Sequence, residues 1–187
     1  MSKRRKTISL TAEAKEYLEE VEGKRKAALT RARTLPIAVL IWGPSPKSRT
    51  KIALTRKKLK ELLIKKGHLA EFSEDLFDAT SSNSNLIQQV AQVEAYDITL
   101  SIPESYGSIA EIHDFARMPM ISNKIVTFLD TRWDSGYSNQ SLIQLQSNAT
   151  CRVIPYDGKD LPDCIINHGL DLIQRLQDFY YTIGRRI

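Results

Sequence analysis

Two carboxylates, three hydroxyls and a glycine crowd into residues 103–111, P-E-S-Y-G-S-I-A-E. Gly107 and Ser108 permit a tight turn and a helix N-cap, and Glu111, three residues past Ser108, completes an S-x-x-E capping box. A second role is open to the same glutamate. Held in the first helical turn after a strand, it would face a ligand crevice as a nucleophile or as a stabiliser of developing positive charge. Glu104, Ser105, Gly107 and Ser108 would then contact the substrate beside it.

Other groups could join that chemistry. Loop 43–50, G-P-S-P-K-S-R-T, follows an apolar run and opens a helix, so Gly43, Pro44 and Ser45 are candidate substrate contacts, and Lys47, Ser48 and Arg49 candidate anion contacts. It is not a Walker A loop, because the G-K-[ST] ending is missing and two prolines remove N–H donors; G-x-G-x-x-G occurs nowhere in the chain. In 74–78, E-D-L-F-D, the three carboxylates Glu74, Asp75 and Asp78 fall beside the same crevice and suit ribose hydroxyls, or else sit in a polar loop with Leu76 and Phe77 folded inward. In 130–137, D-T-R-W-D-S-G-Y, Trp133 and Tyr137 either stack on a base or are buried aromatics of a surface loop. Asp97 is either a hydrogen-bonding residue at the sheet edge or a site carboxylate. His68, His113 and His168 share no ligand or triad spacing, and Cys151 and Cys164 fit neither a zinc site nor a disulfide framework, so no metal is expected.

The elements that would hold these groups alternate along the chain. Residues 37–42 form a continuous apolar run of the kind buried on both faces of a parallel sheet. Strands are also predicted at 69–72, 98–102, 125–129 and 151–154, and helices at 49–66, 84–95, 109–117 and 162–183. This order predicts a doubly wound α/β fold with a mostly parallel five-stranded sheet, which binds ligands at the carboxyl ends of its strands. Segment 11–33 predicts a separate helix with Thr11 as N-cap and a sparse apolar face, giving a basic helical extension over 1–35 and an α/β domain over 36–187.

Charge is divided unevenly. Of the 187 residues, 1–35 hold 10 Lys/Arg and 5 Asp/Glu, which accounts for the whole net charge of +5, since the other 152 hold 17 of each. Positions 47–66 carry nine basic residues against Glu61 alone, and from 67 onward the balance is 8 basic to 16 acidic. A dipolar molecule of this kind is expected to self-associate or to dock on a charged partner, with nucleic acid or protein engaged through the basic N-terminal helix. No apolar run reaches the ~18 residues of a membrane span and no signal-peptide pattern follows M-S-K-R-R-K, so a cytoplasmic, membrane-free protein is expected.

Taken together, E-D-L-F-D (74–78), Y-D-I-T-L-S-I-P-E-S-Y-G-S-I-A-E-I-H-D-F-A (96–116) and the K-I-V-T-F-L-D strand resemble the nucleoside 2-deoxyribosyltransferase-like domain. The resemblance is nearest to the form found in effectors of bacterial retron defence systems, is more distantly similar to TIR domains, and covers about 37–156. It implies cleavage of the N-glycosidic bond of NAD or a nucleoside monophosphate, by hydrolysis or transfer, with Glu111 as the catalytic glutamate and no cofactor beyond the nucleotide substrate. It also implies a defence or toxin effector. The metabolic transferases carry an acid where Ser105 stands, in a D-x-G-T-x-x-E pattern. Help for the departing base would therefore fall to Asp97 or Asp78, or be unnecessary, as for NAD, whose nicotinamide leaves neutral.

Overall fold

Uninterrupted apolar runs become the strands. A computed structural model describes residues 11–133, 140 and 151–183. In it β1 (Ala38–Trp42), β2 (Leu69–Phe72), β3 (Ile98–Ser101), β4 (Ile125–Asp130) and β5 (Arg152–Tyr156) form one all-parallel sheet in the order β2-β1-β3-β4-β5. Every residue of β3 and β4 is buried, as both faces of a covered parallel sheet require. The chain divides into two compact units, Met1–Leu35 and Pro36–Ile187. The first contains α1 (Ala12–Arg33), capped by the Thr11 hydroxyl on the Ala14 amide and laced by Glu20–Lys24 and Glu22–Arg25 ion pairs.

In the second unit, α2 (Lys51–Lys65) starts at Thr50, whose hydroxyl accepts from the Ala53 amide, and α3 (Asn85–Ala95) starts at Ser84. The remaining helices are α4 (Tyr106–Ala116) and α5 (Asp163–Ile183). α3 and α4 bury Val93, Phe115 and Ala116 against Leu40 and Ile125 on one face of the sheet. On the other face Gly169 of α5 approaches Leu59 of α2 and Leu100 of β3 so closely that an added Cβ would stand 3.2 Å from the Leu59 methyl. Helices thus cover both faces. None of the described helices is long and apolar enough to cross a membrane.

The sequence places α4 incorrectly by one turn. It begins at Tyr106 with Ser105 as N-cap, and the capping box is closed by Ser108 at the third helical position. The Ser105 hydroxyl accepts from the Ser108 amide (3.2 Å) and the Ser108 hydroxyl accepts from the Ser105 amide (3.1 Å). Glu111 is therefore no cap and lies beyond the first turn, and Gly107 occupies ordinary helical backbone instead of a tight turn.

The sheet's amino edge is tied by side chains. Asp97 Oδ2 accepts from the Ala38 amide (2.7 Å), Asp97 Oδ1 from the Tyr180 hydroxyl (3.3 Å), and His68 Nδ1 from the Ile37 amide (3.3 Å). Burial, aided by Lys66, pushes the His68 pKa below its ordinary value. The neutral ring is thus favoured on folding, so its stability contribution is complete above about pH 6.5 and is lost as pH falls below that value. His68→Gln keeps an acceptor that does not titrate. Thermal melts at pH 7.5 and 5.5 should show a smaller acid-induced drop for the variant than for the wild type; equal drops contradict this assignment.

Candidate active site

The strand order reverses between β1 and β3, whose carboxyl ends lie side by side with Trp42 paired to Ser101. A doubly wound sheet opens its ligand crevice at such a point. A cleft of about 160 Å³ is found there, with Trp42, Gly43 and Ser101 on the strand ends and Glu74 on the loop after β2. Its far wall is α4: Ser108, Glu111, Ile112 and Phe115 line the cleft at the i, i+3, i+4, i+7 spacing of one helix face. A second cleft of about 320 Å³, including Phe77 and Asn85, shares Ser73, Glu74 and Gln89 with the first.

A side chain that the sequence hides among lysines holds these walls. Arg56 of α2 is fully buried. It donates from Nη1 to the carbonyl oxygens of Gly43 (3.3 Å) and Pro44 (2.8 Å) and to Glu74 Oε1 (2.6 Å), and from Nη2 to the Ile41 carbonyl (2.5 Å) and Glu74 Oε2 (2.5 Å). Its guanidinium carbon also lies 4.3 Å from the centre of the Phe72 ring. The bidentate pair fixes the loop after β2 against the loop after β1. Gly43 is required for this closeness: at φ +152° an added Cβ would stand 2.9 Å from the Ile102 carbonyl oxygen and 3.2 Å from Arg56 Cδ.

Glu111 and Glu74 are the two carboxylates lining the first cleft, and they differ in their engagement. Both oxygens of Glu74 accept from Arg56. Glu111 is exposed to the cleft and has no hydrogen bond or ion pair among the described residues. Helix capping is done by Ser105 and Ser108, so no capping bond engages the Glu111 carboxylate.

Of the sequence candidates, Glu111, Gly43 and Ser108 meet at this cleft. Ser105 caps α4 at its edge, Pro44 contributes a carbonyl to Arg56, and Glu104 Oε2 accepts from the Thr50 hydroxyl (3.2 Å). Ser45 is spent on the turn, its hydroxyl accepting from the Lys47 amide (3.3 Å). Asp75 pairs with Lys60 (3.1 Å). Burial opposes the Lys60 charge, but hydrogen bonds to Glu71 and Asp75 outweigh it and raise its pKa. Asp78 accepts from the Thr80 hydroxyl (2.6 Å) and amide (2.8 Å), which hold its carboxyl below the usual range, the opposite of what a proton donor needs near neutral pH. Trp133 stacks edge-on against Tyr106 at 4.5 Å and packs on Ile109, Ile112 and Leu129, outside the lining of both clefts. Tyr137 lies outside the described residues. Asp97 does not join Glu111: it precedes β3 and so lies at the amino end of the sheet.

Arg56 and Gln89 were missed by sequence reasoning as site residues, whereas Glu74, one of the three loop carboxylates expected beside the crevice, does line the cleft. Arg56 had a signal, since it falls at i, i+4, i+7, i+11 with Ile52, Leu59 and Leu63, in the apolar register of α2. Gln89, half-buried on the wall common to both clefts, had none. No protein-family model matches the chain, and no curated protein matches it.

Removing one partner of a buried bidentate pair exposes the penalty of the other. Arg56→Leu should lower the free energy of unfolding by about 3–5 kcal/mol. Glu74→Ala leaves a fully buried guanidinium without its counter-ion and should lower it by a similar amount. Urea unfolding measures both, and an Arg56→Leu protein as stable as the wild type contradicts the assigned role.

Proposed function

We propose that the protein cleaves the N-glycosidic bond of a nucleotide, NAD or a nucleoside monophosphate, with Glu111 acting on the sugar. The observation that carries this reading is a carboxylate without a partner among the described residues, facing a cleft at the switch point of a doubly wound sheet. The resemblance of E-D-L-F-D and E-S-Y-G-S-I-A-E to nucleoside 2-deoxyribosyltransferase-like domains supports it, and a role as a defence effector rests on that resemblance alone.

When the base departs with the bonding electron pair, C1′ of the ribose becomes oxocarbenium-like. The Glu111 carboxylate stabilises that charge through space or bonds to C1′, and water or a second base then takes the sugar. The second cleft is suited to the leaving base: Phe77 offers a ring, and Asn85 and Gln89 offer amides that donate and accept. The other lining carboxylate, Glu74, is committed to Arg56, which favours a base that leaves without being protonated.

That same commitment favours one alternative, a module that binds a nucleotide here without cleaving it. Incubation with NAD, AMP and dAMP separates the two. Release of free base is expected from the wild type, falling at least about a hundredfold in Glu111→Gln and Glu111→Ala. Base release unchanged by both substitutions removes Glu111 from the mechanism. No base release, with a melting temperature raised by nucleotide, supports the sensing module.

A further inference from the structure

At the opposite pole of the sheet, the amino ends of β3, β4 and β5 and α5 line a half-open cavity of about 470 Å³. This volume is within the ~300–1,000 Å³ range of small-molecule sites. Ile98, Val126, Leu172, Leu176 and Phe179 make its apolar surface. Leu172, Leu176 and Phe179 recur at i, i+4, i+7 along α5, yet Phe179 remains 47% exposed, so that face of the helix is incompletely covered.

The polar groups around this surface are mostly cationic. Lys124, Arg152 and Arg175 come from three different elements, and the Asn123 amide lies beside them. The Lys124 ammonium is held in place by the carbonyl oxygens of Glu94 (2.7 Å) and Tyr96 (3.0 Å). Arg175 uses Nε on Asp171 (2.8 Å), leaving its two terminal nitrogens. The Arg152 guanidinium has no hydrogen bond or ion pair among the described residues. The wall's one carboxylate, Asp97, already accepts from the Ala38 amide and the Tyr180 hydroxyl. Three cations against two engaged carboxylates, Asp97 and the Asp171 paired to Arg175, leave a positive balance above an apolar surface and complement a ligand with a negative head and a hydrophobic body.

We propose that this cavity is a second binding site, for a small organic anion: a carboxylate or phosphate carried on an apolar body. It lies at the other end of the strands from Glu111 and does not depend on the proposed glycosidase activity. Arg152 and Arg175 bind the anionic head, and the α5 row with Ile98 and Val126 takes the body.

Titration calorimetry of the full chain with octanoate, octyl phosphate, 1-octanol and octylammonium, below their micelle concentrations, tests it. Octanoate or octyl phosphate is expected to bind at least about tenfold tighter than octanol, and octylammonium more weakly than either anion. The stronger of the two anions identifies the preferred head group. Arg152→Ala and Arg175→Ala should each weaken anion binding at least about threefold and leave octanol unmoved. Glu111→Ala should leave every probe unmoved. Equal binding of octanol and octanoate, anion binding that survives the double arginine substitution, or no anion binding at millimolar concentration each overturns the proposal. So does a dimer in sedimentation that Phe179→Glu dissolves, which would give the cavity to a second copy of the chain.

Discussion

A guanidinium withdrawn entirely from solvent joins the two loops on which the candidate active site depends. Burying Arg56 would be prohibitive if its terminal nitrogens were left empty; Nε, also buried, has no partner among the described residues. Three main-chain carbonyls and the bidentate Glu74 carboxylate meet its terminal nitrogens, and the Phe72 ring covers its face. The loop after β1 and the loop after β2 consequently have one geometry relative to each other. Gly43 is a condition of that geometry, because only a residue without Cβ passes between Arg56 and the Ile102 carbonyl.

The other wall is set by a quieter economy of hydrogen bonds. A helix start must satisfy orphaned amides, and the Ser105 and Ser108 hydroxyls do so reciprocally at the head of α4. Since hydroxyls do the capping and Arg56 occupies Glu74, Glu111 is the lining carboxylate left unengaged among the described residues. Sheet topology supplies the remaining condition by opening a cleft between β1 and β3, which Glu111 lines together with Trp42 and Ser101.

Much of this architecture is legible in the chain because parallel strands and amphipathic helices leave strong periodic signals. The β2 boundaries, 69–72, match residue for residue, and the 84–95 segment becomes α3 with Ser84 as its cap. The start of α4 is ambiguous in sequence because serines three residues apart both have partners at the right spacing: Ser105 with Ser108, and Ser108 with Glu111. Tertiary contacts do not announce themselves in the same way. Arg56 reads as one more cation in a basic run until its place in the register of Ile52, Leu59 and Leu63 is noticed. Asp97 illustrates the reverse error: a residue just before a strand belongs to the amino edge, and the carboxyl-edge rule alone separates it from Glu111.

The central claim is that a sugar sits over Glu111. A crystal structure of the Glu111→Gln protein soaked with NAD or a nucleoside monophosphate tests it most directly. The account predicts a ribose in the cleft between Trp42, Ser101 and α4, with C1′ facing the side chain at position 111 and the base toward Phe77 and Gln89. A nucleotide bound elsewhere, with that cleft empty, would contradict it.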